Sequence, residues 1–195
     1  MTYFYSNRPI LIPADSKNPL NPTPDYLNEL QASGKYLAEQ KWNGDNTLIF
    51  TDRPTEFWNR TKSRLKYTPP PEMVEELRKW PKGCLINAEL VDHHTTAVKN
   101  KLIVHCIMSY KNKPLLGKTW GDSRHILETM PTGNLVIVSP VWTTGFWDLY
   151  QAADGKVIEG IILKDPKGKL VFSTTPLADV SYMLKVRKPC KKYSF

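Results

Sequence analysis

Short runs in which apolar residues dominate or alternate with polar ones, each broken by turn residues, recur along the chain and predict its strands. Tyr36 to Lys41, Thr47 to Thr51 and Glu56 to Arg60 come first, followed by the strongly apolar runs Cys84 to Val91 and Leu102 to Met108. Leu135 to Val141, Val157 to Lys164, Lys169 to Ser173 and Ser181 to Arg187 complete the set. The turn Asp165-Pro166-Lys167-Gly168 between two of these predicts a hairpin. Helical spacing appears between the strands. Thr23 reads as the N-cap of a short helix through Leu30, with Pro24 as its first residue and Gly34 as its stop. Met73, Leu77 and Trp80 share one face of a second helix, Glu72 to Trp80. Ser123 to Met130, with Asp122 as its cap, and Phe146 to Ala153 read as two more. Residues 1–24 are rich in Pro and Asn and read as an extended lead-in. Helices and strands do not alternate regularly, which predicts an α+β fold with mainly antiparallel sheets.

Length and composition fit this picture: 195 residues at 41% hydrophobic content suit a single globular domain over 1–195 with a sizeable core. The balance of 27 basic against 19 acidic residues gives a net charge of +8. That excess suits a polyanionic partner, nucleic acid first, although a merely basic protein has the same sum. The basic tail, 188–195, fits phosphate contact as well as plain solvation. Three cysteines without framework spacing suggest reduced thiols. With no leader pattern and no apolar run of membrane-spanning length, the expected location is cytoplasmic and no membrane partner is expected.

The candidate chemistry starts with two exclusions. Gly117-Lys118-Thr119 ends like a phosphate-binding loop, but Asn112 stands where that loop needs glycine. His93-His94 lack a spaced partner, and adjacent side chains on a strand point to opposite faces, so a polar loop is the reading there. Lys41 is different. It lies in Glu39-Gln40-Lys41-Trp42-Asn43-Gly44, and Glu89, Glu159-Gly160 and Lys185-Val186-Arg187 follow in order. A lysine becomes a nucleophile only without its proton, a state that nearby cations such as Lys164, Lys185 and Arg187 promote. Gly44 would let backbone approach a phosphate closely.

Lys41-Trp42-Asn43-Gly44, Asn59-Arg60-Thr61, Asn87-Ala88-Glu89-Leu90-Val91, Glu159-Gly160-Ile161-Ile162-Leu163-Lys164 and Tyr182-Met183-Leu184-Lys185-Val186-Arg187 together resemble five ordered motifs. They are those of the covalent nucleotidyltransferase superfamily of ATP-dependent DNA ligases, RNA ligases and capping guanylyltransferases. The resemblance implies an ATP-grasp-like ligase adenylation domain with antiparallel sheets around a nucleotide groove. It implies that Lys41 attacks the α-phosphate of ATP to give lysyl-AMP. By the same resemblance Glu39 contacts adenine, Arg60 binds ribose or phosphate and Glu89 binds the ribose hydroxyls. Glu159 holds Mg²⁺ or Mn²⁺, and Lys185 and Arg187, with Lys164, neutralise the α-phosphate. Asn43 stands where Asp is usual, and His105 where an aromatic stacks on the purine. Asn46 replaces an arginine frequent in DNA ligases and is similar to the RNA-repair type, which favours RNA ends as the substrate. The chain stops soon after Arg187, so the resemblance implies a minimal form without an OB-fold domain, or a partner that supplies one. A minimal DNA ligase, a capping-type guanylyltransferase and a silent nucleic-acid-binding module are the alternatives.

Overall fold

The structure, a computed structural model, describes residues 3–12, 22–171 and 179–188. Its strands are β1 (Arg8–Leu11), β2 (Leu37–Trp42), β3 (Asp45–Phe50), β4 (Phe57–Asn59), β5 (Leu85–Val91), β6 (Lys101–Tyr110), β7 (Lys113–Pro114), β8 (Val136–Val138), β9 (Ile158–Lys164) and β10 (Asp179–Arg187). Its helices are α1 (Pro24–Ala32), α2 (Pro71–Arg78), α3 (Trp120–Glu128) and α4 (Phe146–Ala152). One sheet runs β1-β10-β9-β2; the other runs β4-β3-β5-β6-β7, with β8 also against β6. Pairing is antiparallel except for β1 with β10 and β8 with β6, so the α+β expectation holds.

Each sheet buries its outer face under two helices. Ala38, Ile161, Leu163 and Val186 of the four-stranded sheet pack against Leu27 of α1 and Phe146 and Tyr150 of α4. Ile86, Ala88, Leu102 and Val104 of the larger sheet pack against Met73 and Leu77 of α2 and Trp120 and Leu127 of α3. Each such large side chain adds roughly 1.5–3 kcal/mol on burial. The inner faces carry the charged and amide side chains, beside a smaller apolar cluster of Leu48, Leu85 and Met108 on the larger sheet. That division places the site.

Local chemistry explains the helix ends. Thr23 accepts from the Tyr26 N–H at 3.2 Å and Pro24 opens α1, as predicted. For α3 the expected cap is corrected: Thr119 is the N-cap, and Asp122 is the third helical residue that bonds back to it at 2.8 Å, a capping box. In α2, Glu76 accepts from the N–H groups of Asn134, Leu135 and Val136, which anchors the start of β8.

Within the lead-in Arg8–Leu11 is extended and forms an edge strand on β10, and residues 13–21 lie outside the described residues. One other expectation needs correction. The hairpin across Asp165–Gly168 does not form as predicted. Residues 168–170 bond instead to the entry of α3, with Trp120 N–H to Gly168 at 2.7 Å and Leu170 N–H to Lys118 at 2.8 Å. Phe172 and Ser173 lie outside the described residues. Among the described residues no helix is long and apolar enough to cross a membrane.

Candidate active site

The inner faces of the two sheets enclose a cavity of about 920 Å³. Strand periodicity delivers the charged residues to it. Glu39 and Lys41 project from one face of β2, Lys164 from β9, and Lys185 and Arg187 from β10. Gly160 is the register partner of both Lys41 and Arg187. A shift in register after Lys41 makes Glu159 the extra residue of β9, and a bulge turns its side chain to the cavity. Glycine is required at the next position. Its φ is +147°, and a Cβ there would fall onto the Val186 carbonyl. The Glu159 carboxylate consequently takes an ion pair from Lys41 Nζ and a second from Arg187 Nη2 at 2.9 Å.

At the deep end, Lys164 Nζ donates to Glu39 Oε2 at 2.9 Å and to the His105 carbonyl at 3.3 Å, and lies 5.1 Å from the Trp120 ring centre. Both side chains of this pair are nearly sealed from solvent. Glu39 Oε1 is buried without a hydrogen-bond partner among the described residues. Such an atom disfavours the empty site and suits an incoming donor.

The facing wall comes from the six-stranded sheet and carries fewer charges. Asn46 Oδ1 accepts from Ser6 Oγ at 2.9 Å and from Asn87 Nδ2 at 3.2 Å, so the amino-terminal segment helps to build this wall. Glu89 is half-buried and accepts the Gly44 N–H at 3.1 Å. Burial pushes its carboxyl up to about 7; Lys41 and the Gly44 N–H oppose that shift, while Glu159 and Asp45 add to it. Burial also holds the His105 imidazole well below its ordinary range, with Lys164 and Lys41 adding to the effect, so His105 is neutral. Lys185 is lowered by burial and then by Arg187, against the pull of Asp179.

All the residues singled out from the sequence line this cavity, including Arg60, an exposed side chain just after β4. Gly44 has a structural reason beyond the one expected. A Cβ would collide with the Leu90 carbonyl, and its N–H is already given to Glu89. His93 and His94 sit in a turn after β5, in line with the polar loop expected there; what spacing did not indicate is that both rings reach Asp45. Sequence reasoning missed Asn87, Trp120 and Ser6. Only the alternation around Asn87 pointed inward; the other two reach the cavity through distant packing.

No family model and no curated protein sequence matches the chain. Solved structures do. The Lig E DNA ligases, described as binding DNA with a minimal scaffold, align at 14% identity and a TM-score of 0.55, over 80% of this chain and 62% of that one. Mycobacterial DNA ligase D complexed with ATP and MES aligns at 15% identity and a TM-score of 0.55, over 78% and 54%. The ligase domain of M. tuberculosis LigD aligns at 15% identity and a TM-score of 0.57, over 78% and 53%. The chain therefore has the fold of these ligase domains and spans between about half and two-thirds of their length.

Proposed function

We propose that the chain is the nucleotidyltransferase domain of an ATP-dependent polynucleotide ligase, with Lys41 as the nucleophile and RNA ends as the preferred substrate. The observation that carries the reading is Lys41 Nζ inside the cavity, ion-paired to Glu159, with Arg187 on the same carboxylate. In the first step Lys41 Nζ, having passed its proton to solvent, attacks the α-phosphorus of ATP. An N–P bond forms as the bond to pyrophosphate breaks. AMP then passes to a 5′-phosphate end, and a 3′-hydroxyl displaces it to close the phosphodiester. Lys185 and Arg187 stand on one strand to meet phosphate charge, and positioning with charge neutralisation is what this chemistry asks of a protein.

Deep in the cavity, the unpartnered Glu39 Oε1 is an acceptor for a base amine, and neutral His105 can stack on a purine without charge repulsion from its own wall. The exposed position of Arg60 on the cavity lining supports a ribose or phosphate contact. For Mg²⁺ or Mn²⁺, Glu159 and Glu89 are the hard oxygen donors on facing walls, and the raised carboxyl of Glu89 fits a cation that would offset crowding among Glu159, Asp45 and itself. Bound there, the ion would supply charge neutralisation at the phosphates.

RNA is preferred because Asn46 occupies a position frequently held by arginine in DNA ligases and is fixed there by Ser6 and Asn87. DNA nick sealing is the second reading, supported by the likeness to DNA ligases. The test is intact mass after incubation with ATP and Mg²⁺. Wild type should gain one AMP, reversed by pyrophosphate, and Lys41→Ala none. Labelling by GTP instead would indicate a capping-type enzyme, and no adduct on folded protein would sink the proposal in favour of a silent binding module. Matched nicked RNA and DNA duplexes then separate the substrates. Sealing by this chain alone, against sealing only with an added OB-fold domain, tests the need for a partner.

A further inference from the structure

Asp45 opens β3 directly after Gly44, and its register partner Leu90 lies just before the turn that holds His93 and His94. That pairing brings three metal-binding groups together at the cavity rim. His93 Nε2 lies 2.7 Å from Asp45 Oδ2, and His94 Nε2 lies 3.1 Å from Asp45 Oδ1. The ligand atoms are all within 4.8 Å of one another, and the two rings stack at 5.4 Å.

A further observation points to a cation. The other nitrogen of His93, Nδ1, faces Asp92 Oδ2 at 3.2 Å. Asp92 is itself held, by Lys99 Nζ on its carbonyl at 2.6 Å and by the Asn100 N–H on its carboxylate at 3.4 Å. An imidazole that gives its Nδ1–H to a carboxylate directs the lone pair of Nε2 outward. Here that lone pair would meet an anionic oxygen, a repulsive contact unless a proton or a metal ion lies between them. A carboxylate behind a histidine is the usual support for a histidine that binds metal.

We infer that Asp45, His93 and His94 form a site for a first-row transition ion, Zn²⁺ foremost, at the rim of the cavity. Two imidazoles and one carboxylate suit such ions and not Mg²⁺ or Ca²⁺, which take oxygen donors. This site is separate from the Glu159 and Glu89 carboxylates. Three protein ligands leave a coordination position open at the mouth of the cavity. The ion would also tie the turn carrying Gly44 to the segment that follows Glu89, and so brace both sides of the entrance.

The experiment is a Co²⁺ titration of the chelator-stripped chain, followed by visible d–d absorption, with Zn²⁺ as competitor. One equivalent should bind and be displaced by Zn²⁺. His94→Ala and His93→Ala should each weaken binding at least tenfold, while His125→Ala on α3 should not change it. Absence of d–d absorption would mean that a proton alone holds the cluster together, and would overturn the inference; so would equal binding by His94→Ala. Lys41→Ala should bind Co²⁺ as wild type does, so this inference and the ligase reading fail separately.

Discussion

Two lysine–glutamate pairs stand on the same face of one sheet, and their surroundings set them apart. Lys164 and Glu39 lie at the floor of the cavity, with side chains 4% and 3% exposed, against the Trp120 ring. Lys41 and Glu159 lie nearer its mouth, 20% and 14% exposed, and Glu159 is shared with Arg187. At the floor, removing one charge strands the other where water cannot reach. At the mouth, the carboxylate keeps a second cation, and solvent or a phosphate can take the place of the first. The same two residue types therefore brace the fold in one place and remain available for exchange in the other.

The contrast can be broken by substitution. Lys164→Met should cost about 3–5 kcal/mol by leaving Glu39 charged and buried. Denaturant unfolding measures this, and the double change with Glu39→Leu should restore most of it. A loss below about 1 kcal/mol for the single change would erase the distinction between floor and mouth. Gly160→Ala should cost about 2–4 kcal/mol through its backbone angle and the Val186 carbonyl, and should also displace Glu159 from Lys41. The same unfolding curves, with adduct mass beside them, read both effects.

Glu89 sharpens the comparison as an acid on the opposite wall that accepts a backbone N–H, from Gly44. Its carboxyl sits at about 7 in the fold against an ordinary 4.5, so the folded state binds the extra proton between those values. Stability from this group is full below pH 4.5 and is lost as pH rises through 7, by about 1–2 kcal/mol after solvent screening. Wild type minus Glu89→Gln, measured by unfolding at acid and mildly alkaline pH, should show that slope; parallel profiles would refute it. Lys41→Ala should change stability least, by less than about 1 kcal/mol, because Arg187 stays on Glu159. The adduct should nevertheless disappear.

The strands that carry the site were legible as short apolar-rich runs ended by turn residues, with the alternation clearest in β10, and Thr23-Pro24 marks its helix start plainly. What escaped was set by distant partners. Arg8–Leu11 looks like a Pro-rich arm until β10 offers it an edge. Residues 168–170 look like a hairpin strand until the entry to α3 takes their hydrogen bonds. His93 and His94 were legible as a polar loop, but that both rings converge on Asp45, nearly fifty positions upstream, was not. The ion pairs were equally hidden: Lys41 and Glu159 meet across 118 positions of sequence, through a bulge that the dipeptide Glu159-Gly160 only hints at.

The parallel seam between β1 and β10 also sets a timetable for folding. Arg8 and Asp179 are separated by 171 positions, yet they bond at 3.0 Å. On a ribosome adding about 5–20 residues per second, the first strand waits roughly ten to thirty seconds for its neighbour. Such a long loop to close slows folding. Through that interval β1 is an unpaired edge, open to any other nascent strand.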